Sequence, residues 1–198
     1  MEISSSQIAQ ATFYGVMFCW LAFAAVFIFR KRPPTQTEAR RDRRSTIGIF
    51  LQGCGYGAAW FGRPEYLHPE VSVSTGAELA IAVVTVALAA GSVLLVMSAV
   101  RALGKQWAVA ARLVEGHKLI TAGPYRFVRN PIYSAMFGMM LATCSALQHW
   151  KALPLAVLFF AVGTVIRVRI EEKLLRGAFG AEFEQYAARV PAVLPGIY

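Results

Sequence analysis

Residues 116–147 read GHKLITAGPYRFVRNPIYSAMFGMMLATCSAL, and the change of character inside that stretch decides the fold. As far as Tyr133 it is polar, basic and punctuated by Gly116, Gly123, Pro124 and Pro131. From Ile132 to Leu147 it is apolar. A polar run suited to an anion and a heterocycle therefore stands at the mouth of an apolar helix. A second polar element, Glu171-Glu172, follows a later apolar segment, and the two together predict a small-molecule site at one end of a helix bundle.

The rest of the chain agrees with a lipid environment. Of 198 residues 57% are hydrophobic and 16% charged, with a mean hydropathy of +0.49. Soluble domains run nearer about 45–50% apolar and 25% charged. Five apolar segments follow, at about Ile8–Phe29, Thr46–Gly62, Leu79–Val100, Ile132–Leu147 and Ala152–Ile166. A span needs about 20 apolar residues. The first and third are long enough alone, while the second, fourth and fifth are near or below that length. Only His149-Trp150-Lys151 and a little flanking chain separate the last two, which predicts a tight helical hairpin.

Charge orients the bundle. Eighteen of the 20 Lys and Arg residues fall in three segments: Arg30 to Arg44, Arg101 to Arg129 and Arg167 to Arg189. Only Arg63 and Lys151 lie on the opposite side. Positive loops stay in the cytosol, which places the N-terminus outside and the C-terminus in the cytoplasm, as an odd number of spans also requires. The net charge of +9 does not point to nucleic acid, because the basic residues alternate with spans and anionic headgroups serve as counterions. The first span reads as an uncleaved anchor, since Glu2 and no basic residue precede it. Cys19, Cys54 and Cys144 sit inside apolar runs without metal-ligand spacing, so neither a disulfide nor a metal site is expected.

Arg30–Arg44 reads as a loop without a fold of its own. Leu103–Asn130 is too long for a simple turn, and its Trp107, Leu113, Leu119 and Tyr125 predict order. Gly53-Cys54-Gly55-Tyr56-Gly57-Ala58 resembles a dinucleotide fingerprint only by letters, because no strand precedes it. Gly53 and Gly57, four apart, are expected to pack helix on helix. After Arg167 the helical spacing continues, with Gly177 and Gly180 expected to end it. A short amphipathic helix follows at about Ala181–Arg189, carrying Phe183 and Tyr186.

At the start of the fourth span Asn130 suits an N-cap and Pro131 a first helical position. That helix end favours an anion, and Arg129 adds a planar donor fork. The bland alternative is that Arg126 and Arg129 snorkel to headgroups. Glu171 and Glu172 are costly so near a span unless solvated or partnered; they read equally as a carboxylate site for an amine or as a solvated face beside Arg167, Arg169 and Lys173.

These residues fall in an order that resembles the integral-membrane superfamily of isoprenylcysteine carboxyl methyltransferases and phospholipid N-methyltransferases. The matching elements are Leu103-Gly104 with Trp107, the run Gly116–Tyr133, Glu171-Glu172 with Leu175, and Phe179-Gly180 with Glu182, Phe183 and Tyr186. The resemblance covers about residues 101–191. The apolar segments before and within that region are compatible with it, and the chain reads as an all-α membrane protein of about five transmembrane helices with a C-terminal amphipathic cytosolic helix. Spans and charge set a three-span region, 1–100, before residues 101–198 in the cytoplasmic (inner) membrane, and the resemblance makes the latter a methyltransferase core.

The resemblance further implies S-adenosyl-L-methionine as cofactor and a lipid-like or prenylated acceptor reached from the bilayer. By matching position, His117, Leu119, Gly123, Tyr125, Asn130, Pro131, Tyr133 and Glu172 line the cofactor, and Arg129, Glu171 and Glu172 carry the chemistry. Asn130 stands where the family usually has His, so a proton acceptor is not expected at that position. Two other readings stay open: a membrane reductase using a nicotinamide cofactor, and a non-enzymatic lipid-binding or partner helix bundle.

Overall fold

A computed structural model describes residues 4–29, 38–41, 44–61, 74–104, 112–114 and 118–194. Six α-helices dominate: α1 Ser5–Ile28, α2 Ser45–Trp60, α3 Thr75–Leu103, α4 Pro131–Ala146, α5 Leu153–Phe179 and α6 Ala181–Ala187. Their starts follow local chemistry. Ser4 and Gln7 form a reciprocal capping box on α1, Ser74 Oγ accepts from the Ala77 amide at the head of α3, and Pro131 opens α4. Capping satisfies donors that the first turn leaves without partners.

Three of these helices, α1, α3 and α5, are long and apolar enough to cross a membrane. At 16 residues each, α2 and α4 extend about 24 Å, short of a hydrocarbon core of about 30 Å. Helix α4 is nonetheless the centre of the bundle. Its Ala135, Met139, Ala142 and Ala146 pack with Val16 and Phe23 of α1 and Ala89 and Val96 of α3. From its other side Met140 and Cys144 meet Ala59 of α2 and Ala156 and Phe160 of α5. Apolar side chains such as Phe18, Leu21, Phe50, Val84 and Leu158 stand exposed around the outside, as lipid-facing residues do. Several polar side chains pair between the helices, as a lipid solvent favours. Trp20 Nε1 donates to Thr143 Oγ1 at 2.9 Å, Tyr56 Oη to the Met136 carbonyl at 2.6 Å, and Gln52 Nε2 to Thr164 Oγ1 at 2.9 Å.

Helices α2 and α5 pack tightly against each other, and small residues allow it. The stripe on α2 is Gly48, Gln52, Gly55 and Ala59, all buried. A Cβ on Gly55 would lie 2.8 Å from the Ala156 carbonyl oxygen, and one on Gly163 would lie 2.7 Å from that of Gly48. This corrects the expectation for Gly53 and Gly57, which are exposed and face open space. Four-residue spacing puts two glycines on one face without saying which face meets a neighbour. Gly163→Ala should therefore lower the thermal midpoint, since backbone must move, at about 1–3 kcal/mol. Gly57→Ala should leave the midpoint unchanged or slightly raised, and a melting series in detergent distinguishes the two.

Two further expectations are corrected. The segment between α1 and α2 does have local structure: β1, Glu38–Arg41, pairs antiparallel with β2, Arg112–Val114, in a register that joins Arg40 to Leu113. The ladder links the α1–α2 connection to the α3–α4 connection. Gly177 does not end α5, which runs on to Phe179; Gly180 ends it with φ +52°. A glycine inside a helix costs only about 1 kcal/mol, whereas the left-handed conformation at 180 redirects the chain.

Candidate functional site

The head of α4, the second half of α5, α6 and the segment 191–194 converge at one end of the bundle. Gly123, with φ +63°, starts a tight helical turn, Gly123–Arg126, that leads into Arg129, Asn130 and Pro131. Three bonds then sew this turn to the chain's last described residues. The Arg129 amide donates to the Pro191 carbonyl and the Asn130 amide to that of Ala192, each at 2.9 Å, and Ser134 Oγ donates to that of Val193. Asn130 begins α4 as expected, but its side chain makes no cap. Its Nδ2 instead donates to the Ala192 carbonyl at 3.0 Å, because the returning chain presents an acceptor there.

Arg129 points inward. Its Nε donates to Glu172 Oε1 at 2.8 Å and its Nη1 to the carbonyls of Ala187 and Val190. Both side chains of the pair are 9% exposed. Arg176 approaches Glu172 Oε2 at 3.4 Å and also holds Glu184 at 2.8 Å. The guanidinium fork expected to face an incoming anion is thus committed to Glu172 and to helix-end carbonyls.

Glu171 has different partners. Tyr133 Oη donates to its Oε1, and Arg167 lies 3.5 Å from the same oxygen while its guanidinium stands over the Tyr133 ring at 5.0 Å. Arg167 Nη1 also donates to Gln52 Oε1 at 3.3 Å. One polar chain therefore runs from α2 through α5 to α4. The Glu171 side chain is 27% exposed, three times as open as that of Glu172.

Leu119 and Leu175 pack around Phe183, Tyr186 and Val190, and Tyr186 Oη donates to the Tyr125 carbonyl at 2.6 Å. Burial raises the Tyr125 hydroxyl pKa, helped by Glu171 and Tyr186. Burial likewise pushes Tyr186 up to about 12, against a lowering by Arg129 and a further rise from Glu172. A pKa raised on folding means that the contribution of Tyr186 is whole below its unfolded value, about 10, and is lost as pH climbs through the folded value. Helix α6 should accordingly loosen between about pH 10 and 12, and Tyr186→Phe should abolish that step; hydrogen exchange across residues 181–190 would detect it.

The structure thus brings Leu119, Gly123, Tyr125, Arg129, Asn130, Pro131, Tyr133, Glu171 and Glu172 to one end of the bundle, whereas His117 lies outside the described residues. Sequence reasoning assigned no site role to Arg167, Arg176, Ser134 or Gln52. The arginines had a signal, each four residues from its glutamate on one helix. So did Gln52, an amide inside an apolar helix. The carbonyls of 191–193 had none.

A sequence model described as phospholipid methyltransferase matches residues 80–182, just over half of the chain. Protein-S-isoprenylcysteine O-methyltransferase B of Arabidopsis thaliana is 33% identical over 91 residues, 44% of this chain and 44% of that protein. Protein-S-isoprenylcysteine O-methyltransferase of Schizosaccharomyces pombe is 33% identical over 87 residues, 44% and 37% of the two chains. A cobalt-zinc-cadmium resistance protein of Cupriavidus metallidurans is 32% identical over 95 residues, 46% and 43%. The chain spans less than half the length of each of these relatives. The matched region 80–182 holds α4, α5 and both glutamates but leaves out α1, α2 and the 191–194 segment.

Proposed function

We infer the reaction from one premise: this chain belongs to the phospholipid methyltransferase family. The protein transfers a methyl group from S-adenosylmethionine to a lipid-like acceptor. Two relatives named for isoprenylcysteine O-methylation favour a prenylated carboxylate over an aminophospholipid headgroup. The observation that carries the reading is the pair of adjacent carboxylates held in opposite ways at the head of α4, with Glu172 locked by Arg129 and Arg176 and Glu171 partly open beside Tyr133.

The residues present suit the cofactor. It needs an acceptor for an ammonium, donors for a carboxylate and an apolar wall for a purine. Glu171 offers the accessible acceptor. Exposed Arg126 and Lys118 and the N-terminal end of α4 favour an anion, and Leu119, Ile120 and Leu175 supply apolar surface. When bound, the cofactor contributes a methyl group already activated on a sulfonium, so placing it against the acceptor is the larger part of catalysis.

Glu172 and Arg129 then act as positioning residues, holding α4 against α5 and α6. Glu171 and Tyr133 hold the polar end of the cofactor, and Asn130 ties the 191–194 segment over the site. A carboxylate acceptor is already a nucleophile and requires no general base.

The remaining elements of the reading rest on charge and length. Helices α1, α3 and α5 cross the cytoplasmic membrane and the shorter α2 and α4 are inserted among them, with the N-terminus outside and the site in the cytosol, and α6 rests on the cytosolic interface. Residues 1–100 supply the acceptor's path and residues 101–198 the cofactor site, although both share one core.

The test is methyl transfer from labelled S-adenosylmethionine by full-length protein in lipid nanodiscs, with a farnesylated cysteine derivative and phosphatidylethanolamine offered separately. Label that mild alkali releases as methanol is the expected product, since an ester hydrolyses and an N-methyl group does not. Alkali-stable label on the phospholipid would make the acceptor an amine. No transfer to either would count against the activity.

A further inference from the structure

At the opposite end of the bundle, the starts of α1 and α3 and the turn between α4 and α5 enclose a cavity of about 210 Å³. It is smaller than the roughly 300–1,000 Å³ of drug-sized sites and fits a headgroup-sized ligand. Its walls are largely apolar, with Ile8, Ala9, Ile81 and Ala82 among them. Three of the hydroxyls that line it are already used: Thr12 Oγ1 donates to the Ile8 carbonyl at 2.7 Å, and Thr85 and Ser145 bond each other at 2.6 Å.

Glu78 differs from these. It lines the cavity, and its Oε2 is buried without a hydrogen-bond partner among the described residues. None of the ion pairs among the described residues includes it. A carboxylate in the first turn of α3 is favoured by the helix dipole, which accounts for an acid at that position. It does not supply a donor to a buried oxygen, and such oxygens are rarely left without one. The C-terminal end of α4, with its partial negative charge, reaches the cavity through Ser145 and Ala146.

We propose that this cavity binds a primary alkylammonium group, whose N–H donors bond Glu78 and whose carbon stem lies along Ile8, Ile81 and Trp150. The pocket is far from Glu171 and Glu172, so its ligand is not the methyl acceptor, and the proposal stands whether or not the chain transfers methyl groups. A quaternary ammonium has the charge but no N–H, and it leaves Glu78 Oε2 without a bond. An aminophospholipid headgroup and a free amine share the required chemistry.

Native mass spectrometry of the full chain tests this, using short-chain phosphatidylethanolamine and phosphatidylcholine of identical tails. Wild type should retain the ethanolamine lipid about 10-fold over the choline lipid, in line with one charged hydrogen bond, and Glu78→Gln should lose the preference. Displacement by millimolar ethanolamine assigns the site to the ammonium alone; persistence of the lipid adduct assigns it to the lipid. Should Glu78→Gln fail to fold, Ala82→Leu narrows the cavity with Glu78 in place and should likewise remove the adduct. Equal retention of both lipids by wild type, or an unchanged preference in a folded variant, overturns the proposal.

Discussion

Glu172→Ala is expected to undo the end of the bundle that carries the proposed site. Glu172 receives Arg129 at 2.8 Å and Arg176 at 3.4 Å with its side chain largely buried. Removal leaves the Arg129 guanidinium buried with only the carbonyls of Ala187 and Val190. Breaking a buried pair from one side costs about 3–5 kcal/mol, which for a chain of this size lowers the melting midpoint by on the order of 10 °C. Binding of S-adenosylhomocysteine should disappear with it. The paired variant Arg129→Met with Glu172→Leu removes both charges and should recover much of the midpoint, because an apolar pair of similar volume is often as stable. It should not recover binding, since the head of α4 is then no longer fixed. Differential scanning fluorimetry on the three proteins separates these outcomes, and a single variant melting like wild type would show that the pair does not hold the site together.

Glu171→Gln should act on function and spare the fold. Its side chain is more open, and Tyr133 can still donate to the amide oxygen. In the proposed site, what the substitution removes is the negative charge that would face the ammonium of the cofactor. A charged hydrogen bond contributes about 1.5–3 kcal/mol, which corresponds to a loss of about 10- to 100-fold in kcat/KM for the methyl donor. Tyr133→Phe should cost less, and the double variant little more than Glu171→Gln alone, since both substitutions strike one unit. Steady-state rates at varied S-adenosylmethionine give the comparison, with melting midpoints within a few degrees of wild type as the control.

Much of this architecture is legible in the sequence because lipid imposes a simple code. Runs of apolar residues, with Pro131 and Gly180 as breaks, marked where helices begin and end, and the observed ends lie within a few residues of them. The paired glutamates and the Arg129–Tyr133 run stood out because polar groups near a span need a reason. Other features had no such mark. Which face of α2 meets α5 depends on Gly48, Gln52, Gly55 and Ala59 together, and the eye is drawn instead to the glycines at 53 and 57. The strand Glu38–Arg41 is a charged tetrapeptide without alternating hydrophobicity, so nothing local announces it. The strap that closes the site is made by backbone carbonyls of 191–193, which any residues carry. The direction in which Arg129 points was equally hidden, because a guanidinium serves an external anion or an internal carboxylate with the same geometry.

The account stands most directly on calorimetric titration of S-adenosylhomocysteine into the full chain in lipid nanodiscs, with Glu171→Gln beside it. It predicts saturable binding at one site per chain, weakened about 10-fold or more in the variant. Absence of binding by folded wild type, or saturable binding of a nicotinamide dinucleotide in its place, would contradict it.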